Sequence, residues 1–408
     1  MNFEYFIAKH IAPGRTEAFA KPVVRIAILS IALGLALIIA SVAIVIGFKH
    51  SISSKMIGFA SPLQVIPFDR NESMEETALT LDPAFLKVLA SDPEITHIQY
   101  VAQKAGVLKT KDQMQGVVLK GVDTAYRWNF LRKNLVAGQI PDLETEKPSR
   151  EVLISQRLAN KLRLKVGDPV RIWFVRAHGA EAMGRKLVVE GIYQTGIEEF
   201  DKRYIIGDLR QIQHLNGWKS NQVGSIALDV RNFKQIKQLA HKIYESIPYN
   251  LTIQTIFESY PEIFNWLNLL DANVVVILVL MMLVAGITMV STLFILILER
   301  TNMVGILKTL GANNFSIRKI FLYKAAYIIA WGMFWGNLLG MGFYWVQNYF
   351  HLFKLDPQSY YVSYVPVELH LSDFLLLNIG TFAICLLMLI IPSLYITRII
   401  PSRALRYE

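Results

Sequence analysis

Four stretches of this chain carry no charged side chain: residues 26–47, 272–298, 325–351 and 374–397. Each exceeds the roughly 20 residues a helix needs to cross a hydrocarbon core of about 30 Å. A helix in a water-soluble core keeps a polar face and rarely stays uncharged for so long. The runs therefore predict four transmembrane helices. They hold much of the apolar excess of a chain that is 53% apolar and only 18% charged.

The flanks set the orientation. Residues 1–25, the loop 299–324 and the tail 398–408 hold twelve Lys/Arg against four Asp/Glu, which is +8 of the net +10. The loop 352–373 has one lysine and three acids. Basic residues stay on the cytoplasmic side. The expected order is thus a cytoplasmic segment 1–25, span 26–47, an external domain 48–271, span 272–298, a cytoplasmic loop 299–324, span 325–351, a short external loop 352–373, span 374–397 and a cytoplasmic tail 398–408. Topology and anionic membrane lipid account for the charge without nucleic acid. The first run starts late and runs long for a cleavable signal, so it reads as a retained helix. Cys385 is the single cysteine, which rules out a disulfide within the chain and suits apolar packing.

The external segment is long enough for a core of its own. Strand patterns at 63–68, 95–102, 105–110 and 115–121 surround a helix at 83–91 with Asp82 as its N-cap. Near the other end, strands at 225–230 and 251–256 flank a helix at 233–246. Between them a β-rich piece reads as strands 151–155, 170–175, 187–192 and 203–206, with a helix at 156–162. Its segment 176–186, with Arg176, His178, Arg185 and Lys186, reads either as a protruding hairpin that touches a partner or as a solvated loop. Residues 48–59 and 257–270 carry apolar positions beyond the spans. They read as stalks leaving the bilayer or, through Phe264 and Trp266, as interfacial anchors.

The cytoplasmic loop holds a pattern that a plain turn does not need. Met303, Ile306, Leu307 and Leu310 fall on one helical stripe, and Gly311 stands where a helix stops. An ordered apolar stripe there suggests a docking partner. Conventional chemistry is missing elsewhere. There is no Gly-x4-Gly-Lys-Ser/Thr phosphate loop, no His-Glu-x-x-His and no Gly-x-Ser-x-Gly elbow. The acidic cluster Glu198, Glu199 and Asp201 reads as a solvated loop. The spans carry no central charge to mark an ion path. Asn337, Asn378, Ser291 and Thr381 can hydrogen-bond between helices, and Gly332, Gly336, Gly340 and Gly342 allow close helix approach.

Several segments, in this order, resemble one family. They are 3–10 at the start, 47–60 after the first span, 152–167 opening the β-rich piece, Glu299-Arg300 followed by 305–312 in the loop, 356–369 in the short external loop, and 401–408 at the end. Together they resemble the lipoprotein-releasing ABC transporter permeases, the LolC/LolE group of the MacB-like and FtsX-like superfamily. The resemblance implies an integral membrane α-helical protein with four transmembrane helices and a large periplasmic α+β domain. That domain would comprise a porter at about 60–128 and 218–257, an inserted β-rich Sabre subdomain at about 129–217, and a stalk at each end.

The family context implies a bacterial inner-membrane permease that is not an enzyme and has no cofactor. ATP hydrolysis would lie on a cytoplasmic ABC ATPase present in two copies. A second permease, identical or paralogous, would complete the dimer. An acylated lipoprotein would be the substrate and a periplasmic lipoprotein carrier its acceptor. By resemblance, Glu299, Arg300, Met303, Gly305, Ile306, Leu307, Lys308, Leu310 and Gly311 would couple to the ATPase. Val42, Ile46, Phe48, Phe264, Trp266, Leu267 and Leu270 would line the lipoprotein path. Arg176, His178, Arg185 and Lys186 would contact the carrier. Asn302, Met303 and Val304 stand where many relatives carry charge, and the 176–186 segment lacks the proline of the family's carrier-recruiting hook. Two alternatives stay open: mechanotransmission to a periplasmic partner such as a cell-wall hydrolase, and MacB-like efflux of a drug or peptide.

Overall fold

The computed structural model describes residues 20–69, 76–110, 113–174 and 183–394. The chain forms two compact units. One comprises Met1–His50, Trp266–Lys354 and Tyr364–Glu408; the other comprises Ser51–Asn265 and Leu355–Ser363.

In chain order, helix α1 (Ala20–Ala60) leads to strands β1 (Leu63–Pro67) and β2 (Leu79–Thr80), helix α2 (Pro83–Ser91), and strands β3 (Ile95–Lys109), β4 (Met114–Val122), β5 (Leu135–Gly138) and β6 (Glu151–Ser155). Then come α3 (Gln156–Leu162), β7 (Pro169–Phe174), β8 (Met183–Tyr193), β9 (Tyr204–Asp208), α4 (Leu209–Asn216), β10 (Gln222–Val223), β11 (Ser225–Val230), α5 (Ile236–Tyr244) and β12 (Leu251–Thr255). The chain continues through α6 (Pro261–Glu299), α7 (Thr301–Thr309), α8 (Asn314–Phe350), α9 (Leu371–Met388) and α10 (Ile390–Leu394).

Among the described residues, three helices are long and apolar enough to cross a membrane: Pro22–Ala60, Pro261–Glu299 and Leu371–Leu394. The run 325–351 lies on the 37-residue α8, which is not one of the three. Its tryptophans, tyrosines, glycines and the asparagines Asn337 and Asn348 lower its hydropathy. The helices extend beyond the predicted runs because the flanking charged residues are also helical. Within Leu371–Leu394 the helix has a one-residue irregularity: α9 stops at Met388 and α10 restarts at Ile390. Pro392 has no N–H to give the Met388 carbonyl, so the helical ladder fails there.

Small residues let α8 pack close to α1. A Cβ added to Gly332, Gly336 or Gly340 would stand 2.7, 2.9 or 3.1 Å from the nearest atoms of Ile31, Ala32 or Ile39. The spacing of four on α8 thus meets an aliphatic face of α1. Gly342 faces open space. Asn337 and Asn378 exchange hydrogen bonds of 2.7 and 3.1 Å between α8 and α9. Ser291 instead donates back to Ile287 of its own helix, and buried Thr381 Oγ1 has no partner. Cys385 is buried in the apolar cluster formed with Ile31, Met289 and Leu293.

The second unit is organised by one sheet. Strands pair in the order β12-β1-β11-β3-β4-β9-β6-β8-β5, with β7 bridging β3 and β8. That bridge closes a ring, β3-β4-β9-β6-β8-β7 and back to β3. The expected strands 95–102 and 105–110 are one 15-residue strand, β3. Its first half pairs with β11 and its second half with β7. The sequence suggests a break at Gln103 and Lys104, yet Lys104 is buried and the Gln103 N–H donates to Glu76 at 2.6 Å. Strands β3 and β4, assigned from sequence to the porter, therefore complete the ring of the inserted piece. A closed ring leaves few unpaired edges.

The last turn of α1 enters this core. Phe59 stacks on Phe200 at 4.2 Å and meets Tyr204 edge-on at 5.3 Å. Buried Lys120 of β4 donates to the Phe59 carbonyl and lies over the Phe59 and Tyr126 rings. The helix ends because Pro62 disfavours helix at the residue before it. Ser61 adopts φ +62° and donates its N–H to Ile57 at 3.1 Å. Asp82 caps α2 as expected, accepting from the Ala84 N–H at 2.9 Å.

Candidate coupling site

The loop between α6 and α8 folds as the two-turn helix α7. It ends in a hydrogen-bonded stop. The Gly311 N–H donates to Lys308 at 3.1 Å and the Ala312 N–H to Leu307 at 2.9 Å. This crossed pair is the Schellman arrangement, and it needs a left-handed residue at Gly311, whose φ is +88°. Asn313 then caps α8 by accepting from the Ser316 N–H at 2.7 Å. Two caps back to back hold the turn between α7 and α8 tight.

The predicted stripe divides. Met303 and Leu307 are half-buried and pack against the unit's apolar cluster, which includes Val304, Ile297, Ile317 and Phe321. Ile306 and Leu310 face outward, at 50% and 78% exposure. Val304 and Gly305 are buried, so Gly305 belongs to the face that holds α7 in place. Glu299 is exposed, while Arg300 and Lys308 are half-buried. Burial lowers the Lys308 pKa from the ordinary lysine value. Sequence reasoning missed Phe315, 62% exposed just past the Asn313 cap. The signal was present in a large aromatic placed in the first turn of a helix, where the core does not begin until Ile317.

The other predicted sites fare differently. Val42, Ile46, Trp266 and Leu270 are half-buried, whereas Phe48, Phe264 and Leu267 are buried. Phe264 rests edge-on against Phe257 at 4.7 Å. The last three are therefore packing residues. The apolar positions that face outward lie elsewhere, at Leu29, Leu33 and Leu37 of α1 and at Val276, Leu280 and Leu283 of α6. At the Lys49 end of α1, a 2.6 Å ion pair to Asp271 joins α1 and α6.

Arg176 and His178 lie outside the described residues. Arg185 and Lys186 are not loop residues: they pair within β8 against Ile172 and Arg171 of β7. Half-buried and exposed positions alternate from Met183 to Lys186, which continues the strand beyond where the sequence seemed to start it. The cluster at 198–201 is likewise structural. Asp201 accepts from the Thr195 N–H and hydroxyl and from the Gly196 N–H at 2.9–3.0 Å, and burial raises its pKa. Among the described residues, no group of three or more His, Cys, Asp or Glu side chains could hold a metal ion.

The MacB-like periplasmic core domain model matches residues 26–245, and the FtsX-like permease C-terminal model matches residues 275–401. The chain belongs to the MacB-like, FtsX-like permease family. This permease is 21% identical to the lipoprotein-releasing system transmembrane protein LolC of Xylella fastidiosa, covering 98% of the chain and 97% of the relative. It is also 21% identical to the LolE protein of Haemophilus influenzae, covering 99% of each. With LolC of Neisseria meningitidis serogroup B it shares 22%, covering 98% of each. Among solved structures it is similar to the periplasmic region of MacB from Actinobacillus actinomycetemcomitans, at 13% identity, 50% of this chain, 94% of that one and TM-score 0.35. It is also similar to the extracellular domain of the ABC-type transporter YknZ, at 16% identity, 48% of this chain, 98% of that one and TM-score 0.33.

Proposed function

We propose that this permease is the membrane subunit of an ABC transporter that extracts lipoproteins from the bacterial inner membrane and passes them to a periplasmic carrier. The observation that carries this reading is the end-to-end match to relatives named as lipoprotein-releasing LolC and LolE proteins. In this reading α8 is the fourth span, both termini and α7 are cytoplasmic, and the second unit is periplasmic. The sequence holds no phosphate loop, so the motor is a separate ATPase in two copies. Ile306, Leu310 and Phe315 form its seat, and buried Val304 anchors that seat to the helices. A second permease, identical or paralogous, completes the assembly.

Reconstitution tests this function. The permease and its ATPase in liposomes should release a triacylated lipoprotein to a soluble carrier when ATP is added. ATP turnover without release would overturn lipoprotein extraction and leave force transmission as the surviving reading.

A further inference from the structure

A groove of about 640 Å³ runs between α8 and the α9–α10 break in the first unit. Its walls are two matched helical stripes. Lys319, Tyr323 and Ala326 line one side, and Ala383, Leu387 and Ile390 line the other. Each set falls at i, i+4 and i+7, so each is one helix face. Asn337 of α8 pairs with Asn378 of α9. The groove residues precede the first and follow the second, so the helices run antiparallel. Lys319 therefore stands with Ile390 at one end of the groove, and Ala326 with Ala383 at the other. Seven residues of helix make the groove about 10 Å long.

The two ends differ in chemistry. The Ala326 end is walled by small and aliphatic side chains. The Lys319 end is cationic. The Lys319 ammonium lies 4.7 Å from the Phe315 ring and has no acidic partner among the described residues. Arg318 is adjacent on the same helix, and its buried Nε has no hydrogen-bond acceptor. Across 299–324 the one acid is Glu299, against five basic residues. Leu387 and Ile390 are 62% and 50% exposed, which is costly in water and suited to hydrocarbon.

We propose that this groove binds one anionic phospholipid of the cytoplasmic leaflet, with an acyl chain between α8 and α9 and its phosphate at Lys319. A short apolar channel with a cation at its mouth matches an acyl chain ending in a negative headgroup. The cationic rim selects an anionic over a zwitterionic lipid, and the aliphatic walls exclude a free polar ligand. The inference rests on the membrane orientation proposed above. It is independent of lipoprotein release, because lipid retention and cargo release are measured separately.

The test is native mass spectrometry of the full chain in detergent, equilibrated with equal amounts of phosphatidylglycerol and phosphatidylcholine of identical acyl chains. The wild type should retain phosphatidylglycerol preferentially. Lys319→Glu should lower that retention about five-fold or more, the effect of one basic side chain at an anionic surface. Phosphatidylcholine retention should not change, and Lys319→Arg should keep the preference. Ala383→Trp, which fills the apolar end, should lose both lipids. Should that variant misfold, the Glu and Arg variants at Lys319 decide alone. Equal retention of the two lipids, or no effect of Lys319→Glu, overturns the proposal. So does displacement by a large excess of inorganic phosphate, which would mark a free-phosphate site. A dimer mass that Ala383→Trp abolishes while lipid retention persists would assign the groove to a second copy, and it too overturns the proposal.

Discussion

Two helix ends carry large apolar side chains and use them in opposite ways. At the end of α1, Phe59 is 2% exposed and stacked within the second unit. Past the end of α6, on α7, Leu310 is 78% exposed. Burying a large aromatic stabilises the core of the second unit by removing its surface from water. Leaving a leucine outward on a capped two-turn helix contributes nothing to folding and keeps a surface ready for a partner. The contrast extends to the lysines: Lys120 is sealed beside Phe59, whereas Lys308 of α7 is only half-buried.

The largest test breaks the buried end. Phe59→Ala should destabilise the protein by about 3–5 kcal/mol, the cost of a cavity at a large aromatic, visible as a lowered denaturation midpoint. A loss below about 1 kcal/mol, the scale of an ordinary surface change, would show that the stacked cluster does not hold the end of α1 in the second unit's core.

The exposed end should respond the other way. Leu310→Asp should weaken ATPase co-purification at least tenfold, or about 1.4 kcal/mol, while leaving the melting temperature of the isolated permease unchanged. Val304→Asp should instead lower that melting temperature, because Val304 is buried. Equal behaviour of the two variants would erase the distinction between the faces of α7.

Lys120 sharpens the comparison through pH. Burial lowers its pKa to about 7, opposed by Asp229. Between that value and the usual 10.5, the unfolded chain binds a proton that the folded chain does not. Stability should therefore rise with pH across that window, by up to about 1.4 kcal/mol per pH unit. Below pH 7 both states are protonated and the slope vanishes. Lys120→Met should flatten the rise in equilibrium denaturation series at matched ionic strength. An unchanged slope would mean that the proton resides elsewhere.

The most local effect concerns the cap. A Cβ at Gly311 meets nothing within 4 Å, so Gly311→Ala isolates the cost of φ +88°. That cost is about 1–2 kcal/mol, and hydrogen exchange at the Ala312 amide should accelerate accordingly. Unaltered exchange would show that the stop does not depend on the glycine.

The parts legible in sequence are those set by neighbours a few residues apart. Uncharged runs mark the long helices, Asp82 marks a cap, and Gly311 marks a stop. The stripe of α7 was also legible, but not which half of it would be covered. Met303 and Leu307 have the same local pattern as Ile306 and Leu310. Only Ile297, Ile317 and Phe321, brought in by other helices, distinguish them. The break between α9 and α10 could have been read from Pro392, since one missing N–H interrupts the ladder.

Closure of the β ring lay beyond local pattern. Pairing of Gly106–Lys109 with residues 171–174 joins segments more than sixty positions apart, and no periodicity specifies that register. Phe48, Phe264 and Leu267 show the same limit from the other side. Their apolar character was plain, but burial depends on what packs against them. By itself the sequence determined most element types, the Asp82 and Gly311 helix ends and the family, because propensity, capping and composition act over a few residues. The tertiary structure alone decided which apolar faces are core and which remain open. Burial is a property of non-local neighbours, and one side-chain pattern serves either purpose.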